Sequence, residues 1–169
     1  MSAAAAFAAT TAPGSRPAAG LAAGLISLAF GLGAPPAQAG DAGAHAQLNY
    51  LQHCVGCHGL DGGGAPTKGI PTMRGNLGRF LQVPGGREFI VQVPGVMNTS
   101  LADRDIAELM NWLLPRISAP TLPANLRPYS APEIAQLRAT RPADVPAARR
   151  GLMEAMRRAG IVFDDGSKP

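Results

Sequence analysis

The chain has 169 residues and a formal net charge of +4, and it holds only two cysteines. Two cysteines exclude a structural zinc site built from two Cys pairs. The basic residues lack the aromatic interleaving of a single-strand nucleic-acid surface, which argues against nucleic acid as a partner. Abundant alanine, and arginine far above lysine, point to a GC-rich bacterial source.

Residues 1–39 read as an export signal. Arg16 is the only charge before Asp41, an apolar stretch runs from Leu21 to Leu32, and Ala37-Gln38-Ala39 is a cleavage signature with Gly40 as the first mature residue. The alternative is a retained anchor, because residues 17–40 carry no charge. Glycine and proline punctuate that stretch and its strongly apolar part is short, which favours cleavage. No cysteine near the cleavage point offers a lipid anchor. A mature chain of residues 40–169, exported to a bacterial periplasm and without a stable membrane span, suits one domain with an extension.

Residues 42–54 predict a first helix, with Leu48, Tyr50 and Leu51 available to a core and His53 a solvated surface residue. Its end runs into Cys54-Val55-Gly56-Cys57-His58, a C-x-x-C-H motif. This is the attachment pattern of a covalent c-type haem: two thiols in one tight turn add to the porphyrin vinyl groups, and the histidine faces the iron. Three other readings compete. A thioredoxin-like dithiol wants a neighbouring βαβ pattern, whereas Gly59 to Gly75 is rich in glycine and proline. Zinc wants four ligands, and His45 and His53 lie upstream without the spacing. A disulfide would close a very short loop and stabilise little.

A loop of roughly 27 residues follows, long enough in a small domain to need a function, here walling a cofactor. Gly85 to Val93 gives a short helix or irregular segment with Phe89 and Ile90. Carriers of electrons close both axial positions of the iron, and a thioether opposite the histidine raises the potential. Met97, in the Pro94-Gly95 loop and 39 positions after His58, is the candidate for that role; Met110 sits in a helical stripe and reads as core filler. A further helix starts near Ser100-Leu101-Ala102-Asp103, with Ser100 as cap and Asp103 and Asp105 at its positive end. Ile106, Leu109, Met110 and Leu113 form its apolar stripe, Trp112 sits at the stripe's edge against the first helix, and Pro115 ends it.

With these residues in view, His58 through Pro115 resembles a class I c-type cytochrome, a small all-α fold wrapped around one haem with His/Met ligation. The resemblance covers roughly residues 42–118. Tyr50 stands where the family keeps an aromatic, and Ile70-Pro71-Thr72-Met73-Arg74-Gly75 resembles its G-P-x-L-x-G loop. It implies that the Pro71 carbonyl accepts from the other ring nitrogen of His58, and that Arg79 contacts a haem propionate. Ile70, Met73 and Ala46 depart from the family's glycine, leucine and glycine, and the Pro71 to Met97 stretch is short, as in small bacterial members. The expected site is therefore Cys54, Cys57, His58, Met97, Pro71 and Arg79, with His58 and Met97 on the metal and one haem c covalently attached per chain.

Residues 119–169 read as a proline-rich linker, marked by Pro120, Pro123 and Pro128, and a helical C-terminal extension beyond the 40–118 cytochrome domain. Ser130-Ala131-Pro132-Glu133 is a capping box opening one short helix with Ile134 and Leu137. Asp144-Val145-Pro146 opens a second, with a stripe of Val145, Ala148, Leu152, Met156 and Ala159 and with Gly160 as C-cap. Residues 41–118 carry six basic and six acidic side chains, while residues 119–169 carry eight and five. The basic second helix has two readings: its stripe packs on the domain and its arginines are solvated, or Arg150, Arg157 and Arg158 dock an acidic redox partner. Packing is the favoured one.

Function follows in the same order of preference. A periplasmic electron carrier, not an enzyme, comes first, passing electrons between a protein donor and a protein acceptor. A dedicated cytochrome subunit of a periplasmic dehydrogenase or oxidase is the alternative. A haem peroxidase or gas sensor would need an open sixth position and a distal histidine or arginine, for which the sequence offers no clear candidate.

Overall fold

The structure is a computed structural model that describes residues 39–164, and its elements are all helical. In chain order they are α1 Ala39–His53, α2 Val55–His58, α3 Asn76–Phe80, α4 Gly86–Gln92, α5 Pro94–Met97, α6 Asp103–Ile117, α7 Ala131–Ala139 and α8 Val145–Arg158, with single 3₁₀ turns at Pro66–Lys68 and Ala119–Thr121. No strand occurs among the described residues; one isolated bridge joins Ala65 and Ile70. The export signal expected over residues 1–39 lies outside them, apart from Ala39. No described helix is long and apolar enough to cross a membrane.

The crossing of α1 and α6 organises one side of the core. Ala46 and Tyr50 are 1% and 2% exposed, and the Tyr50 and Trp112 rings lie 6.0 Å apart, as a packed helix crossing requires. Of the residues of α1 expected in the core only Tyr50 is buried: Leu48 and Leu51 stay 54% and 39% exposed. The buried face is set by positions 46, 49 and 50, which share one side at i, i+3 and i+4. Leu48 and Leu51 point away from it, and Asn49, 5% exposed, is buried in their stead.

Helix α6 buries Ile106, Leu109, Met110 and Leu113 as its period predicts, and adds Ala107 and Leu114. Its ends differ from the sequence reading. Ser100 does not cap it: the N-cap is Ala102, in extended conformation and without a side-chain bond, and Ile106 N donates to the Ala102 carbonyl at 3.0 Å. Pro115 does not stop it, since the helix continues to Ile117. In the last turn a missing N–H removes one bond only, and Ser118 N still donates to Leu114 O at 3.0 Å. Ser118 is fully buried.

Between these helices, Phe89, Ile90 and Val91 of α4 enter the core. Gly86 permits this, because a Cβ there would collide with the Phe80 carbonyl of α3. The approach of α3 to α4 is thus a backbone contact that only glycine allows.

The segment after Ser118 is fastened to the rest of the molecule rather than strung beyond it. Thr121 donates its hydroxyl to Gly75 O at 2.6 Å, and Gln82 donates to Thr121 O at 2.6 Å. Arg87 of α4 reaches Glu133 in two bonds of 2.7 and 2.9 Å and also donates to the carbonyls of Arg127 and Pro128. Tyr129 packs beneath the Arg87 guanidinium, 3.8 Å from it, and gives its hydroxyl to Arg87 O at 2.7 Å. Ser130 caps α7 as expected, accepting from Glu133 N at 3.4 Å, but the Glu133 carboxylate goes to arginine instead of closing the capping box. Asp144 caps α8 through Ala147 N at 2.8 Å. Gly160, at φ +71°, sits one position past the C-cap, which is Ala159: its N–H reaches Arg157 O and that of Ile161 reaches Met156 O, which is a Schellman pair.

The stripe of α8 faces inward, with Met156 fully buried and Val145, Ala148 and Leu152 against the core; Ala159, at the C-cap, is exposed instead. Phe163 stacks edge-on against Phe80 at 5.4 Å, and Asn76 donates its side-chain amide to the Asp164 carbonyl. Tyr129, Ile134 and Met156 share one core with Phe80, Phe89 and Ile106.

The arginine pair around Glu133 makes a pH-dependent fastening. Its carboxyl sits below the ordinary glutamate range, first because Arg87 donates to the carboxylate. A depressed carboxylate stabilises the fold above the unfolded value of about 4.3, and that contribution fades as pH falls through the lower folded value. Glu133→Gln should lower stability by about 1–2 kcal/mol at pH 7, the cost of leaving Arg87 partly buried without its anion. The deficit should close as thermal melts are repeated down to pH 3. A deficit constant with pH would show that the charge contributes nothing.

Candidate functional site

Helix α1 does not stop at the motif; it breaks and restarts there. Cys54 N still donates to Tyr50 O at 2.9 Å, but Cys54 leaves helical geometry at φ −122°, and α2 begins at Val55. The Cys54 carbonyl accepts from both Cys57 N (3.2 Å) and His58 N (2.9 Å). Cys54, Cys57 and His58 are thereby spaced i, i+3 and i+4 in one turn and share a face. The turn is held from outside as well. Tyr50 donates its hydroxyl to Gly59 O at 2.6 Å, joining the buried face of α1 to the residue just past His58.

Both cysteines are free thiols, Cys54 half-buried and Cys57 exposed. Burial pushes the Cys54 thiol up, and proximity to Cys57 adds to it. Burial pushes the His58 imidazole down, so at neutral pH it is uncharged and keeps a lone pair for a metal. Its Nδ1 is buried without a hydrogen-bond partner. The bond from this nitrogen to the Pro71 carbonyl, implied by the family resemblance, is therefore not made. The two residues are neighbours through Gly64: its N–H reaches His58 O at 2.9 Å, and a Cβ on it would sit 2.6 Å from the Pro71 oxygen. Gly64 adopts φ +69°, and that close passage of backbone needs a residue without a side chain. His53 is exposed, as expected.

Met97 ends α5 instead of lying in an open loop, with its N–H on Val93 O at 2.9 Å. It is half-buried, yet it alone among the described methionines is not packed against the core. Met73, Met110, Met153 and Met156 all are. Arg79 is half-buried and donates to Asn76 Oδ1 at 2.9 Å. With Arg74, Thr72, Gly63 and Thr121 it lines an open cavity of about 870 Å³, beside an Arg74–Asp61 ion pair of 3.1 Å. Asn76 went unrecognised in the sequence. It is 1% exposed and joins Thr72, Arg79 and the Asp164 carbonyl. Its only sequence signal was an amide directly after the Gly75 turn.

Compared with protein-family models, curated proteins and solved structures, the chain matches none. The motif's donor set is two thiols and a neutral imidazole spaced along one helical turn. That set fits a porphyrin held by thioether bonds with the histidine on its iron. It fits a four-ligand zinc site poorly, since neither His45 nor His53 joins it.

Proposed function

We propose that the protein is a periplasmic electron carrier with one c-type haem covalently attached at Cys54 and Cys57. The observation that carries this reading is the single-face placement of Cys54, Cys57 and His58 within one hydrogen-bonded turn. When bound, the haem supplies a one-electron ferrous–ferric couple. The chain's own residues do the rest. Cys54 and Cys57 would tether, and His58, kept neutral by burial, would be the proximal ligand. Tyr50 fixes the turn through Gly59 O. Met97, left off the core, would be the sixth ligand, closing the metal to substrates and favouring a carrier over a peroxidase or gas sensor.

The intact mass of the exported protein tests attachment. It should exceed that of the mature chain by one haem, which acid–acetone extraction does not remove. A mass equal to the bare chain sinks the proposal. Met97→Ala tests the axial set: the ferric protein should lose its Met-to-iron charge-transfer band and turn high-spin, with the haem still attached. An unchanged spectrum would remove Met97 from the metal.

The donor and acceptor are proteins, and α8 is the surface that steers them. Arg150, Arg157 and Arg158 are exposed; the latter two are partly offset by Glu154, whose carboxyl their hydrogen bonds and charges hold down at about 2. Charge at such a rim acts on encounter rate more than on affinity. A permanent place in a dehydrogenase or oxidase complex would use the same surface.

A further inference from the structure

Across the α1–α6 crossing, 63 residues apart in sequence, His45 faces Glu108 with Nδ1 to Oε2 at 3.2 Å. Asp105, one turn before Glu108 on α6, completes a group whose three ligand atoms all lie within 4.8 Å of one another. We propose that His45, Asp105 and Glu108 form a binding site for a divalent transition-metal cation of the zinc class, which pins α1 to α6. This inference is independent of the haem reading.

The ligand chemistry selects the metal. One imidazole nitrogen with two carboxylates is a borderline set that suits zinc and its neighbours better than the all-oxygen sites of calcium or magnesium. Zinc bonds of about 2.0–2.2 Å place ligand atoms roughly 3–3.5 Å apart. His45 and Glu108 already stand at that spacing, and the Asp105 carboxylate lies within 4.8 Å of both. Three protein ligands leave a position for water. One turn along α1 from His45, Asn49 is 5% exposed and its Nδ2 has no hydrogen-bond partner.

One cation competes for the same carboxylates. Arg104 lies 3.2 Å from Asp105 Oδ1 and 3.8 Å from Glu108 Oε1, yet its side chain is 73% exposed against 17% for Asp105. A metal entering the cluster displaces a solvated arm without disturbing the core. Arg104 is thus a built-in competitor, which gives the proposal a test in both directions.

Zinc chloride titrated calorimetrically into the metal-stripped, exported protein should bind at one equivalent through this cluster and raise the melting temperature. His45→Ala and Glu108→Gln should each weaken that binding by at least roughly tenfold, and Arg104→Ala should tighten it several-fold. All three variants keep Cys54, Cys57 and His58, so zinc taken up by those groups would be unaffected by any of them. Equal zinc affinity in the wild type, His45→Ala and Arg104→Ala overturns the proposal, as does an absence of binding. The His45 side chain is 46% exposed and outside the core, so the melting curve of His45→Ala without zinc should match the wild type and confirm that the variant is folded.

Discussion

Replacing Cys54 and Cys57 together by alanine should abolish covalent haem in the exported protein and lower its stability by at least about 3 kcal/mol, roughly 10 °C in melting temperature. Just past the Cys54–His58 turn Leu60 is 77% exposed, and within it Cys57 is open to solvent. A cofactor that binds only the folded chain adds its binding free energy to stability, and removing both tethers removes that contribution. Intact mass and a thermal melt followed by far-UV circular dichroism read both effects. A double variant that retains haem mass, or melts where the wild type melts, sinks the haem proposal.

Truncation after Ser118 should leave a chain that no longer unfolds cooperatively. The lost segment takes Tyr129, Ile134 and Met156 out of the core, each 4% exposed or less. At about 1.5–3 kcal/mol per buried side chain this is roughly 5–9 kcal/mol, comparable with the whole stability of a small domain. Polar groups lose partners too. Gln92, 7% exposed, donates to Leu137 O, Thr140 O and the Thr140 hydroxyl, and the Asn111 amide exchanges bonds with the Tyr129 backbone. Phe80 loses Phe163. If the segment served only to dock a partner, the truncated protein would melt normally and lose only its salt-sensitive electron-transfer rate. Denaturant unfolding of the truncated chain, with its m-value, separates these outcomes, and a wild-type transition would refute the packing account.

What the sequence disclosed follows from the range of the interactions involved. The Cys54–His58 turn was legible because helix periodicity within five residues fixes which side chains share a face. The stripe of α6 was legible because its period repeats over two turns, and the Asp144 and Gly160 caps because they are local backbone chemistry. Ser100 and Pro115 misled for the same reason in reverse. Ser100 has cap chemistry, but the helix starts from Ala102, whose extended dihedrals decide the boundary. Pro115 breaks a helix interior but is tolerated where few bonds remain to lose. Leu48 and Leu51 were assigned to the core on apolar character, whereas the partner helix selects which face of α1 is buried. Tyr129 under Arg87, the Glu133 ion pair and the His45–Glu108 approach join residues 42 to 63 positions apart, and no local pattern announces them. Met97 was picked out by elimination as a loop methionine, whereas it ends the short helix α5, a local turn that the Pro94-Gly95 pair concealed.

The α1–α6 crossing has a kinetic consequence. Its residues meet across 63 positions, so closing that loop costs about 3.7 kcal/mol beyond a constant, before any contact offsets it. Helices α6 and α7 are consecutive and face no comparable search. The first helix therefore belongs to the part of the molecule that docks late and opens early. Because the Cys54 amide is bonded to Tyr50 O, the turn bearing the two thiols and the imidazole travels with it. Backbone amides of residues 46–59 should form one exchange unit, protected less than those of α6.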